Sequence, residues 1–156
     1  MAGSTRRLVA LGAALGLLVS GCALSTADQA ATEMRASVAA TASEFGLADF
    51  VGDIAVSFTQ VPCARAGGTA ALAVLDVVVA PGEFDVAAIS RVGDFWAGFH
   101  GRDFVRVAAV SGASDVVGVE GILRDGETLG FVYSVSESTI HIQGLSGCLP
   151  RRTIEE

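Results

Sequence analysis

The chain carries 17 acidic residues against ten arginines and no lysine over 156 positions, a formal charge of −7. That balance excludes nucleic acid as a partner, because a phosphate backbone is gripped by a basic face. The length suits one domain, and a hydrophobic share of 51% is enough to build a core, which excludes a chain disordered throughout.

The first residues have the layout of an export signal. Arg6 and Arg7 make a positive start, Leu8 to Val19 is apolar and uncharged, and Ser20-Gly21-Cys22 follows. A charged start, an apolar stretch and small residues before a cut define a secretory leader. The stretch is interrupted by Gly12 and Gly16 and falls short of the roughly 20 apolar residues that span a bilayer. Val19-Ser20-Gly21-Cys22 resembles the lipobox of bacterial lipoproteins. The resemblance implies a diacylglyceryl group on the Cys22 thiol, cleavage before Cys22, and a mature chain anchored on the extracytoplasmic face of the cell membrane. Residues 1–21 are then the leader and residues 22–26 a short tether. Ordinary leader cleavage after Ala23 is the competing reading, since Gly21-Cys22-Ala23 loosely fits a small-x-small site. Loss of Arg6 and Arg7 takes the formal charge from −7 to −9, and Arg151-Arg152 is the one basic pair left. Charge cannot hold such a chain to an anionic bilayer, so the acyl chains must; one chain binds marginally and two bind stably.

Residues 27–150 are expected to form a single domain. Thr26 and Gln29 have the spacing of a capping box ahead of a helix from Ala27 to Phe45. Met34, Val38 and Phe45 recur at helical spacing with Ala30 and Ala31, while Glu33, Arg35, Ser37 and Glu44 fall on the exposed face. Gly46 is placed to end the helix. Ile54 to Val61 alternates as a half-buried strand with Ile54, Val56 and Phe58 inward. Pro62 stops it, Cys63 follows, and Gly67-Gly68 turns the chain into a strand from Thr69 to Ala80 that ends at Pro81-Gly82.

A second helix is expected from Val86 to His100, capped by Asp85 and stopped by Gly101, with an inward stripe of Val86, Ile89, Val92, Trp96 and Phe99. Phe104 to Val110 reads as a strand. Val116 to Arg124 and Glu127 to Val135 flank Asp125-Gly126, a dipeptide suited to the positive φ angles of a tight hairpin turn. The last strand is Thr139 to Gly144, with Ile140 and Ile142 inward and His141 and Gln143 outward, and residues 151–156 form a polar tail. The order α-β-β-α-β-β-β-β predicts an α+β fold, with two amphipathic helices packed on one face of a largely antiparallel sheet.

With Cys22 assigned to lipid, Cys63 and Cys148 are left as an even pair in an exported chain, expected to form a disulfide. A metal centre completed by His100 and His141 is the alternative. No C-x2-C or H-x3-H spacing supports it, and neither a metal nor a cofactor is expected. A cysteine after the first strand, a closing Ser-Gly-Cys, and a lysine-free composition rich in Ala, Val and Gly resemble small actinobacterial lipoproteins of unknown function. That resemblance implies a compartment and a rough fold, and no activity.

Catalytic patterns are weak. Gly144-Leu145-Ser146-Gly147-Cys148 starts like a nucleophile elbow, but Cys148 replaces the final glycine and Pro150 bars the helix that should follow. A turn that delivers Cys148 is the simpler reading. His100 suits a helix C-terminus, where the dipole favours a cation, and His141 faces solvent. Glu120, Asp125 and Glu127 read as solubilising charge around the hairpin. Phe95, Trp96, Phe99, His100 and Phe104 make an apolar stripe wider than one sheet needs. Core packing accounts for most of it, and Phe95, Trp96 and Phe99 are the candidate surface for a partner or ligand. The expected function is a non-enzymatic binding or accessory role in the cell envelope, toward an envelope protein or apolar ligand. A carrier of a small apolar ligand or lipid and a cryptic envelope hydrolase are the alternatives.

Overall fold

The first helix, α1, spans Ala27–Glu44, in a computed structural model that describes residues 27–62, 68–110 and 114–149. Thr26, half of the expected capping box, lies outside the described residues. The other end is closed as expected. Gly46 adopts φ +81°, Leu47 N–H donates to Ala42 O at 2.8 Å, and Gly46 N–H donates to Ser43 O at 3.4 Å. This pair of bonds satisfies two carbonyls the helix leaves open, and the left-handed residue it needs is most cheaply glycine. A short 3-10 helix, Ala48–Asp53, then leads toward the sheet. Ser37, expected outside, is buried, and so is Thr41. Each hydroxyl is satisfied within the helix, Ser37 donating to Glu33 O at 3.1 Å and Thr41 to Ser37 O at 2.8 Å. That bonding lets a polar residue take a core position at little cost.

Six strands follow: β1 (Ala55–Val61), β2 (Gly68–Val78), β3 (Phe104–Val110), β4 (Val116–Leu123), β5 (Thr128–Ser134) and β6 (Thr139–Leu145). They form one sheet in the order β1-β2-β6-β5-β4-β3, with every neighbouring pair antiparallel. Both helices lie on one face, so the expected α+β class holds. Leu75, Leu129, Phe131, Ile140 and Ile142 meet Met34, Val38 and Trp96 in the core between the layers.

The inward row expected on β1 is a correction. Ile54 is buried just ahead of the strand, but Phe58 is 50% exposed and Val56 is also open. Their register partners on β2 are Ala71 and Ala73, both fully buried. Such small residues let α1 settle over β2 and β6, which leaves β1 outside the helix layer as an edge strand. Alternation alone cannot tell a covered strand from an edge.

The second helix is also broken where a single one was expected. Val86–Arg91 is a 3-10 helix, and α2 proper is Val92–His100. Asp85 caps the first piece by accepting from Ala87 N–H at 3.0 Å, and Gly101 ends the second at φ +56°. Ile89, Val92 and Trp96 are buried, whereas Val86 and Phe99 reach past the core and are exposed. Trp96 is 0% exposed, and its indole N–H donates to Thr41 Oγ1 at 2.9 Å, which ties the two helices together. It also packs against β4 at Gly121. A Cβ at Gly121 would come within 2.6 Å of the indole, so the absent side chain makes the room.

The hairpin turn is as expected, with Asp125 at φ +68° and Gly126 at φ +82°. Beyond β6 the chain crosses back, and Leu149 pairs with Thr69 at the start of β2. Among the described residues, no helix is long and apolar enough to cross a membrane.

Candidate functional site

The aromatic stripe expected on α2 is part of a longer row on the helix side of the sheet. Tyr133 contacts Phe84, Phe84 stacks on Phe131, Phe131 meets Phe45 edge-on, and Phe45 meets Phe95, all with ring centroids 5.1–6.0 Å apart. Phe95 then stacks on Phe99, and Phe99 meets the His100 ring at 4.9 Å. Phe45, Phe84 and Phe131 belong to other elements, so no window of sequence showed them as members. The row also divides the candidate surface. Trp96 is withdrawn from it, since its indole is core and its N–H is used inside. Phe95 is half-buried, and Phe99 is 51% exposed.

Phe99 and His100 open onto a cleft of about 440 Å³ between the first half of α1, the end of α2 and the β4–β5 turn. Met34 and Leu123 give it an apolar floor, and Glu33, Asp103, Asp125 and Glu127 give it a negative wall against Arg124 alone. Among the described residues no ion pair neutralises those four carboxylates. Burial, then Glu33, Asp125 and Asp103, push the Glu127 carboxyl above its ordinary range. Burial holds the His100 imidazole below its ordinary value, with Asp103 partly opposing. Its Nε2 is shut away from water without a hydrogen-bond partner. The cation expected at this helix end is therefore disfavoured by desolvation.

These shifts act on stability with opposite signs. Glu127 has a raised folded pKa, so the native state holds its proton better. Its contribution is present at low pH and is lost as pH rises through the folded value. His100 has a depressed one, so its contribution is lost as pH falls below 6.5 through the folded value. Glu127→Gln should therefore raise the melting temperature at pH 7, and the gain should close as pH falls below the ordinary carboxylate range. Thermal scans of both proteins across pH 4–7 check this; an equal melting temperature at pH 7 would contradict it.

The second histidine lies on the other face. Across the pair β2–β6, His141 stands opposite Asp76. His141 Nδ1 meets Asp76 Oδ1 at 2.6 Å, and Nε2 meets Gln143 Oε1 at 3.2 Å. Both ring nitrogens thus have a side-chain partner on the sheet. The sheet separates His141 from His100, so the two cannot share a metal ion. Among the described residues, no group of three or more His, Cys, Asp or Glu is placed to hold one. Ser146, from the elbow-like segment, is buried. Its Oγ accepts from Ala71 N–H and donates to Gly147 O, both at 2.9 Å. That serine fastens the segment after β6 onto β2.

A second cleft, about 290 Å³, lies at the opposite end of α1, where Phe45, Leu47, Phe50, Val78, Val79 and Phe84 converge. It adjoins a depression formed by Phe45, Phe95, Glu44, Arg91 and Asp94. Val78 is 76% exposed and Phe50 38%. Phe95 therefore belongs to this distal surface and Phe99 to the acidic cleft, which parts two residues the sequence had put together.

No family model matches the chain, and no curated protein does. Among solved structures it is similar to the crystal structure of a DUF4853 family protein from Actinomyces odontolyticus, with a TM-score of 0.56 and 13% identity over 83% of this chain and 71% of that one. At that identity the likeness is one of fold: the helix-covered antiparallel sheet is shared.

Proposed function

We propose that the protein is a lipid-anchored envelope protein, held by a diacylglyceryl group on Cys22, whose domain binds a partner rather than catalysing a reaction. The observation that carries this is the position of the lipobox cysteine, five residues ahead of Ala27, where α1 begins. A tether so short spans at most about 17 Å. It brings the end of the domain that holds the start of α1 and the Thr69–Leu149 bridge close to the bilayer. Binding is favoured over chemistry because the groups a hydrolase would need have structural tasks: Ser146 is buried and doubly bonded, and His141 has both nitrogens engaged.

A disulfide between Cys63 and Cys148 belongs to the same proposal. Cys148 precedes Leu149, the residue that pairs with Thr69. Cys63 lies outside the described residues, in the connection from Val61 to Gly68, whose two ends are register partners. Val61 and Gly68, the described ends of the stretch that carries Cys63, and Leu149, next to Cys148, all lie at the start of β2, which supports the pairing.

Replacing Cys22 with serine removes the only thiol placed to receive lipid. The Cys22→Ser protein should keep its leader or be released from the membrane fraction, and should not incorporate labelled palmitate. A variant that stays cleaved, labelled and membrane-bound would defeat the anchoring proposal.

A further inference from the structure

The distal cleft has the wrong surroundings for two of the occupants an apolar groove might receive. Phe50, exposed, forms its open rim, and Phe45, Leu47, Val79 and Phe84 its floor. The charges around it are almost all negative. Glu83 lines the cleft itself, Glu44 and Asp94 line the adjoining depression with Arg91, Asp49 precedes Phe50 and Asp85 follows Phe84. All five acids are exposed. An anionic bilayer is repelled by such a rim, and so is a second copy of a chain whose mature charge is −9.

We infer that the distal cleft docks a segment of another protein that presents a large apolar side chain flanked by arginine or lysine. The apolar floor takes the side chain and excludes water, and the five acids select the flanks; aromatic anchors in apolar pockets with charged rims are how small interfaces gain both affinity and specificity. The inference deepens the binding role proposed above and uses the Cys22 anchor only for orientation. With the start of α1 tethered near the bilayer and α1 about 27 Å long, the cleft lies at the end of the domain away from the tether.

The test uses the full lipid-modified protein in neutral detergent micelles and a fluorescent peptide, Lys-Arg-Leu-Phe-Arg-Lys, read by polarisation. Binding should weaken with added salt. It should weaken about tenfold or more in the Phe50→Ser, Glu83→Gln double variant, which alters an exposed apolar residue and an acid of the cleft and leaves the core alone. Peptides with Glu in place of Lys and Arg, or Gly-Gly in place of Leu-Phe, should fail to bind. Equal binding of the acidic peptide, an unaffected double variant, or no binding at millimolar peptide each overturns the proposal. Sedimentation that shows a dimer dissolved by the same double variant would assign the cleft to a second copy instead. Anionic vesicles bound through Phe50 would assign it to the membrane. Peptide binding retained by a Cys22→Ser protein that still floats with membranes would sink the anchor and leave the cleft standing.

Discussion

Trp96→Ala is expected to cost about 3–5 kcal/mol of folding free energy, the range for emptying a large aromatic site in a packed core. Three things put it there. The indole is wholly buried, so its apolar surface returns to water on unfolding and leaves a void on truncation. It fills the space above Gly121, whose missing Cβ makes that room, so the backbone beneath it offers no side chain to fill the hole. It is also the cross-link between the helices, through the bond to Thr41. With domains typically stable by about 5–15 kcal/mol, such a loss takes the protein near its threshold. Thr41→Val separates the parts: it keeps the packing but leaves the indole N–H buried without an acceptor, at about 1–3 kcal/mol. Urea unfolding of the three proteins at matched m-values gives both numbers. A loss under about 1 kcal/mol for Trp96→Ala would mean that the two helices hold their places without the indole.

Trp96 also shows what a sequence can and cannot say about a site. Its spacing from Ile89 and Val92 marked it as inward, and so it is. Periodicity could not show that the partner for its N–H is a threonine fifty-five residues earlier, nor that Ser37 and Thr41 would be drawn into the core by bonds to their own helix. The strands were legible because turn chemistry framed them: Gly46, Asp85, Gly101 and Asp125-Gly126 all do what their residue types favour. The faces of β1 were not, because burial depends on which strand the helix covers, and Ala71 and Ala73 decided that from the neighbouring strand. Both clefts are assembled from segments far apart in the chain. The acidic one joins Glu33 to Glu127 and the distal one joins Phe50 to Val78 and Phe84. Their residues carry no common motif, so only the sheet order reveals them.

Reduction of the proposed Cys63–Cys148 disulfide should produce an effect as large as the loss of Trp96, by a different route. The bridge would close a loop that takes in β2 to β6 and α2, from the end of β1 to the segment after β6. In the chain-entropy account, a loop of that size restricts the unfolded chain by about 4–5 kcal/mol, with few native contacts changed. The start of β2 should keep its pairing in the reduced native state, since Leu149 N–H donates to Thr69 O at 2.8 Å and Ser146 holds Ala71. Reduced protein should therefore keep its spectrum at low temperature and yet melt on the order of 15 °C lower. Cys63→Ser, Cys148→Ser and the double variant should all melt at that same lower temperature, because each opens the same loop and adds no second defect. Thermal scans with and without reductant check the prediction. If the double variant melts with the oxidised wild type, the two cysteines do not restrain the chain, and the pairing is wrong.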